Sequence, residues 1–331
     1  MVLFSHAWHD MIQGGAAYAV WGFYVLSGFL MTLVIKDKYG FTVEGILKYI
    51  SNRIIRIFPL YYICLLAGIA TIVFLRHHKI DPTQFNGQFY MPSRGTWLAP
   101  LTLLTVFPTT GLPVATSGAL ATEFTAYAMM PLMAFSPLFS LLFFFISLVV
   151  NISYGFGLES FAARYTFFST CLIAFSFGSL LCHFKPWLSL IRNRPLSLGA
   201  WLLLSVSWLR YPYFPWEHGL YVSLPVSGWV VLSFIDVRKN KLDGLLGDLS
   251  YPVYLAHTLV LAWYFVVFHK AFDLRCAVEV YVFSVILSYI LIVVVDRPLS
   301  RLKVRGRTTA PDNQNYDLTL RARSRPKISL I

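Results

Sequence analysis

The sequence has little charge, and acidic residues are especially scarce. Only 13% of its 331 residues are charged and Asp and Glu together number 15, whereas 57% are hydrophobic and the mean hydropathy is +0.64. An ordinary soluble domain carries about 25% charged residues. This shortage excludes a typical soluble globular domain. It predicts an all-α, polytopic bundle of membrane helices.

Several sequence signatures are also missing. The 4 cysteines occur singly, without a C-x-x-C pair or a metal-ligand spacing, so we expect neither a disulfide framework nor a metal site. The sequence has no internal repeat and no G-x-S-x-G motif. The first apolar run lacks a preceding basic segment, which argues against a cleavable signal peptide. These absences favour a single membrane-embedded unit.

The net charge of +12 comes from basic residues between the apolar runs and in the tail. Short basic loops beside membrane helices are typical of cytoplasmic loops. The charge therefore indicates contact with membrane lipids, and no nucleic acid partner is expected. We predict that the loops at 36–56, 185–194 and 236–241 and the C-terminus are cytoplasmic.

Apolar runs near 20 residues, the length that crosses a bilayer core, predict about nine to ten transmembrane helices. Met1 to His9 reads as the end of a first helix whose earlier turns are missing. Trp97 to Phe107 is predicted to be re-entrant or interfacial, because the basic loops otherwise fall on the wrong side. We expect a membrane domain at 1–302 and a basic, disordered cytoplasmic tail at 303–331. The other predicted spans are 16–35, 60–75, 118–136, 138–152, 164–183, 199–209, 219–235, 250–268 and 276–295.

A pair of arginines stands beside the second complete span. Arg53 and Arg56 are three residues apart, so a helix would direct both guanidinium groups from one face. Pro59 is predicted to occupy the first turn of the following helix. Such a pair either holds lipid phosphates as an anchor or presents forked donors to a phosphorylated cofactor.

Three ionisable residues lie within apolar runs, where charge is costly and usually functional. They are His6, Glu123 and His257. A single membrane histidine often only bonds two helices together. Two histidines, a carboxylate and an arginine pair together favour a site, since a neutral imidazole can act as a general base beside a carboxylate.

Several motifs resemble those of the integral-membrane family called acyltransferase 3. They are GFYVLSGFLMT at 22–32, R-x-x-R-I-x-P-x-Y from Arg53 to Tyr61, GDLSYPVYLAH at 247–257, the set Glu123, Tyr127 and Pro131, and the closing Asp296, Arg297 and Pro298. The resemblance implies transfer of an acyl group, typically acetyl, from acyl coenzyme A to a hydroxyl of a cell-surface, secreted or lipid-linked glycan. It further implies a bacterial cytoplasmic membrane and no permanently bound cofactor.

The resemblance also implies roles for the candidate residues. Arg53 and Arg56 would clamp the phosphates of acyl coenzyme A. His6 is the leading general base, with His257 or Glu123 as its partner or proton relay.

Two departures from the family leave other functions open. The family places an arginine eleven positions before the residue matching His6, which here precedes Met1. Gly118, Ala119 and Leu120 stand where the family has W-S-L. The missing arginine makes an inactive, N-terminally truncated paralogue one alternative, and the composition fits a transporter or flippase without chemistry equally well.

Overall fold

The computed structural model describes residues 1–8, 11, 14–107, 109–210, 215–237, 240–269 and 271–302. Its regular elements there are all helical, which confirms the predicted all-α class. The predicted tail at 303–331 and Arg238 and Lys239 of one basic loop lie outside the described residues. The helices are α1 (Val2–Ala7), α2 (Gly14–Val34), α3 (Val43–His77), α4 (Leu98–Thr102), α5 (Ser117–Phe135), α6 (Pro137–Tyr154), α7 (Phe161–Thr166), α8 (Phe168–His183), α9 (Arg194–Arg210), α10 (Leu220–Phe234), α11 (Lys241–Phe268), α12 (Leu274–Leu291) and α13 (Arg297–Ser300).

Five of the described helical segments are long and apolar enough to cross a membrane, and they contain α2, α3, α6, α11 and α12. The segment formed by α7 and α8 bends by 63° and makes a sixth if it counts as one span. The chain is therefore an integral, multi-pass membrane protein. The nine to ten spans expected from the sequence also include α5, α9 and α10, which are shorter or less apolar.

Helix α3 differs from the sequence-based expectation. It runs without interruption through Pro59, so the prediction that a new helix starts at this proline is wrong. Membrane helices tolerate proline because surrounding groups satisfy the freed carbonyl. Its 35 residues extend about 52 Å at 1.5 Å per residue, well beyond a core of about 30 Å. About 20 residues counted back from His77 cover that core, which leaves Arg53 and Arg56 at its edge.

Helix α2 lies at the centre of the bundle and packs against α8, α5, α10 and α1. Its contact with α8 is unusually close. A Cβ atom on Gly28 would lie 2.1 Å from the Phe175 carbonyl oxygen, and one on Gly178 would lie 2.1 Å from that of Val25. Small residues allow membrane helices to approach in this way. Gly28 and Gly178 therefore let α2 and α8 pack closely.

The segment 97–107 does not span the membrane, as expected from its length. Its only regular helix is α4, of 5 residues. Tyr61 donates a hydrogen bond to the Pro100 carbonyl at 2.5 Å, and Tyr62 donates one to that of Leu101 at 2.9 Å. These bonds hold the segment against α3, where it forms one side of a cavity described below.

Candidate functional site

The predicted site residues lie around two cavities that share a wall. The arginine cavity, about 280 Å³, is lined by Arg53, Arg56 and Glu123, and the histidine cavity, about 850 Å³, is lined by His6. Four residues line both cavities and define the shared wall: Val2, Tyr24, Ala119 and Tyr254. Four of the five candidate residues therefore divide between two neighbouring chambers, and His257 lines neither of them.

The two histidines are in direct contact although 251 positions separate them. His6 Nδ1 lies 3.0 Å from His257 Nε2, and the rings stack with their centroids 5.2 Å apart. α1 packs against α11 and α12, which brings His6 to this position. His257 is only 1% exposed, so its ring is closed off behind His6. Of the two partners that the sequence suggested for His6, His257 is the one it contacts.

Hydrogen bonds fix which nitrogens carry protons when both rings are neutral. His257 Nδ1 lies 3.2 Å from the Val253 carbonyl oxygen, which can only accept, so this nitrogen carries the hydrogen. His257 Nε2 is then an acceptor, and His6 must donate to it through Nδ1. This leaves a lone pair on His6 Nε2, the nitrogen suited to remove a proton.

Asn86 is a site residue that the sequence reasoning missed. Its side-chain nitrogen lies 3.3 Å from His6 Nε2, and both residues line the histidine cavity. The side-chain oxygen of Asn86, Oδ1, in turn accepts a hydrogen bond from the Gln88 backbone N–H at 2.9 Å, which orients the side-chain amide. The lone pair of His6 Nε2 thus accepts the Asn86 N–H at the cavity wall, and an acceptor hydroxyl has to displace this hydrogen bond to reach it. An asparagine in a polar loop gives no periodic signal, so only the fold reveals it.

The loop that carries Asn86 has its own anchor. The side chain of Asp81 accepts hydrogen bonds from the Thr83 hydroxyl at 2.7 Å and the Thr83 backbone N–H at 2.9 Å. These bonds lower the pKa of the Asp81 carboxyl below its ordinary value, because they favour the charged form. The turn preceding Asn86 is therefore held in place above that pKa.

Arg53 and Arg56 lie in the N-terminal half of α3 and line the same cavity, so the expectation that they leave one helix face is confirmed. The Arg53 guanidinium carbon lies 6.0 Å from the Tyr49 ring centre and 5.9 Å from that of Tyr127. Its Nε is buried and has no hydrogen-bond partner among the described residues. A buried donor without a partner is costly, and an anion in this cavity would supply one.

Glu123 lines the arginine cavity and accepts hydrogen bonds from side chains of α2 and α5. It is 7% exposed, accepts from Ser27 Oγ at 3.1 Å, and accepts a short hydrogen bond from the Tyr127 hydroxyl. Ser27 comes from α2, so this cluster joins α2 to α5. The expectation that Glu123 assists His6 remains a prediction. Its described contacts lie on the other side of the shared wall.

Hydrogen bonds hold the shared wall together. Tyr24 donates to the Ala119 carbonyl at 3.1 Å. Tyr254 and Thr116 form a reciprocal pair, in which each side-chain hydroxyl donates to the other's carbonyl, at 3.2 and 3.0 Å. The wall therefore ties α2 and α11 to the start of α5, and it consists of two tyrosines and two small or medium apolar residues.

Comparisons of the chain with protein-family models, with curated proteins and with solved structures each find no match. The resemblance to acyltransferase 3 therefore rests on its motif residues. Some of those residues, including Arg53, Arg56, Glu123 and Tyr127, line the arginine cavity of a multi-pass membrane protein.

Proposed function

We propose that the protein is a membrane O-acyltransferase. It transfers an acyl group, in the simplest case acetyl, from acyl coenzyme A to a carbohydrate hydroxyl. One observation carries the proposal. A histidine whose Nε2 bears a lone pair and a partly buried arginine pair line two cavities with a common wall. This arrangement suits a reaction between a phosphorylated donor and a hydroxyl acceptor that approach separately.

The arginine cavity supports the donor side. Coenzyme A carries phosphate groups, and forked guanidinium donors bind phosphate oxygens by short, charge-assisted hydrogen bonds. Arg53 and Arg56 supply two such groups at the edge of the membrane core. The rest of the lining, including Val20, Phe23 and Ile57, is largely apolar and suits the acyl-bearing arm.

The histidine cavity supports the chemistry. His6 Nε2 accepts the proton of the acceptor hydroxyl as its oxygen attacks the thioester carbonyl. The carbon–sulfur bond then breaks, and the thiol of coenzyme A leaves with the proton from His6. His257 accepts from His6 Nδ1 throughout, which stabilises the positive charge that His6 carries between these steps. Direct transfer of this kind needs no serine or cysteine nucleophile.

The shared wall is the point at which donor and acceptor meet. The thioester has to reach His6 past Tyr24 and Tyr254, beside the smaller Val2 and Ala119. A carrier without chemistry would also use two chambers and a wall between them. It would, however, move its substrate unchanged and have no need of a histidine pair that directs a lone pair.

The experiment uses the full chain in lipid nanodiscs with isotope-labelled acetyl coenzyme A and a panel of oligosaccharides. We expect release of coenzyme A together with a sugar that is heavier by one acetyl group, detected by mass spectrometry. His6→Gln provides the control for product formed without the protein's base. Intact donor and unmodified sugars, despite saturable binding of both, would refute the proposal.

A further inference from the structure

The histidine cavity differs from the arginine cavity in its charge. Among the described residues that line it, none is Asp, Glu, Lys or Arg, whereas the arginine cavity contains two cations and a carboxylate. Its polar side chains, apart from His6 and tyrosines, are neutral amides and hydroxyls: Asn86, Gln88, Thr105, Thr109, Thr116, Ser117, Thr122, Thr166 and Ser169.

We propose that this cavity selects an uncharged polyhydroxyl acceptor, such as a neutral sugar unit, over an acceptor whose reacting unit bears a carboxylate or phosphate. The inference rests on the proposed acyltransferase function and names the substrate class of that same site. Amides and hydroxyls both donate and accept, so they match sugar hydroxyls in either orientation. The rings of Tyr24, Tyr165 and Tyr254 offer flat surfaces for the apolar faces of a sugar.

An anionic acceptor would lose hydration here without gaining a counter-charge. Burying an ionised carboxylate is strongly unfavourable unless it is paired. The N-terminus of α5 reaches this cavity through Ser117 and Gly118, but a helix end supplies only about half a positive charge. Arg76 and Lys79, which could pair with an anion, line a different and more open pocket at the end of α3. The selection therefore follows from the lining itself.

The size of the cavity agrees with a sugar-sized acceptor. At about 850 Å³ it falls within the range of about 300–1,000 Å³ common for small-molecule sites. Gly118 contributes to this space. A Cβ atom there would lie 3.5 Å from the nearest Leu112 atom, so a larger side chain would extend into the cavity.

The test compares two acceptors that differ in one group. A glucose-terminated and a glucuronate-terminated oligosaccharide, otherwise identical, are presented to the full chain in nanodiscs with acetyl coenzyme A. We expect kcat/KM at least about tenfold higher for the neutral acceptor. Equal or higher kcat/KM for the glucuronate would overturn the inference while leaving the acyltransferase function intact.

A binding measurement distinguishes a failure of this inference from a failure of the proposed acyltransferase function. If neither acceptor is acetylated, equilibrium binding of the same two labelled oligosaccharides is measured. Tighter binding of the neutral one supports the cavity's preference and shows that the proposed chemistry is wrong. Binding of neither, or tighter binding of the glucuronate, overturns the inference.

A second experiment introduces a positive charge into the cavity. Gln88 is exposed and lines the cavity, and Gln88→Lys should shift the glucuronate-to-glucose kcat/KM ratio upward by up to about fivefold, as an exposed ion pair would. Gln84→Lys adds the same charge four residues earlier in the loop, at an exposed position that does not line the cavity. It should leave the ratio unchanged. An equal shift in both variants would mean that overall loop charge, and not the cavity, sets the preference.

Discussion

Replacing His6 and replacing His257 should affect acyl transfer differently. His6→Gln removes the lone pair that takes the hydroxyl proton, because an amide cannot accept a proton at neutral pH. His257→Gln keeps an acceptor, since the amide oxygen can take the hydrogen that His6 Nδ1 now donates over 3.0 Å. His257→Phe keeps a ring beside His6 but has no acceptor at all. The three variants therefore separate the base from its supporting group.

General values for a positioned base and for a hydrogen bond set the expected size of each effect. A positioned general base contributes about 10²- to 10⁴-fold, so His6→Gln should lower kcat by that factor. A hydrogen bond to a charged group contributes about 1.5–3 kcal/mol. Because about 1.36 kcal/mol corresponds to a tenfold change in rate, His257→Phe should lower kcat about 10- to 150-fold. His257→Gln should lose less than about tenfold.

The assay measures acyl transfer to the oligosaccharide in nanodiscs, normalised to protein that elutes as a single species. Saturation binding of acyl coenzyme A is measured alongside and should be similar in all three variants. His183→Gln is the matched control. This half-buried histidine also bonds to a carbonyl, that of Met133 at 2.8 Å, but lines neither cavity.

Two results would contradict the roles assigned to His6 and His257. Near-normal transfer by His6→Gln would show that His6 is not the base. Equal, severe loss in His257→Gln and His257→Phe would show that His257 itself moves a proton and does more than accept a hydrogen bond.

Three further predictions concern other residues of the two cavities. Arg53→Lys should raise the KM for acyl coenzyme A about tenfold with normal protein abundance, because an ammonium cannot reproduce the guanidinium fork; an unchanged KM would favour a lipid anchor. Gly118→Trp should abolish transfer but not donor binding, since the indole would fill the histidine cavity; retained acceptor use would show that the sugar binds elsewhere. Asn86→Asp should shift the acid limb of the pH–rate profile to higher pH, because a carboxylate stabilises protonated His6. Asn86→Ala should lower kcat only about 2- to 13-fold. An unshifted profile in Asn86→Asp would show that Asn86 does not contact the base.

Features that follow from helix geometry could be predicted from the local sequence. The spacing of Arg53 and Arg56 was enough to place both side chains on one helix face, and both line the arginine cavity. The apolar runs located most of the helices. The start of α3 was predicted wrongly, because Pro59 was taken as a helix start although a membrane helix can continue through it.

Long-range features could not be derived from the sequence. His6 and His257 are in contact only because α1 lies against α11, and no pattern in either segment encodes that approach. The sequence left His257 and Glu123 as equal partners for His6, but packing puts His257 in contact with His6 and Glu123 in the arginine cavity. Asn86 belongs to an irregular loop whose path depends on the bonds that Asp81 makes to Thr83.

The arginines lie at a loop predicted to be cytoplasmic and the expected acceptor is a surface or secreted glycan, so the proposed function requires donor and acceptor to enter from opposite sides of the membrane. The most direct test seals labelled acetyl coenzyme A inside proteoliposomes that contain the full chain in a single orientation, and supplies an impermeant oligosaccharide outside. With the arginine cavity facing inward, we expect labelled acetyl groups on the external sugar and free coenzyme A retained in the lumen. Transfer only when both substrates share one compartment, or movement of an unmodified substrate across the membrane, would contradict it.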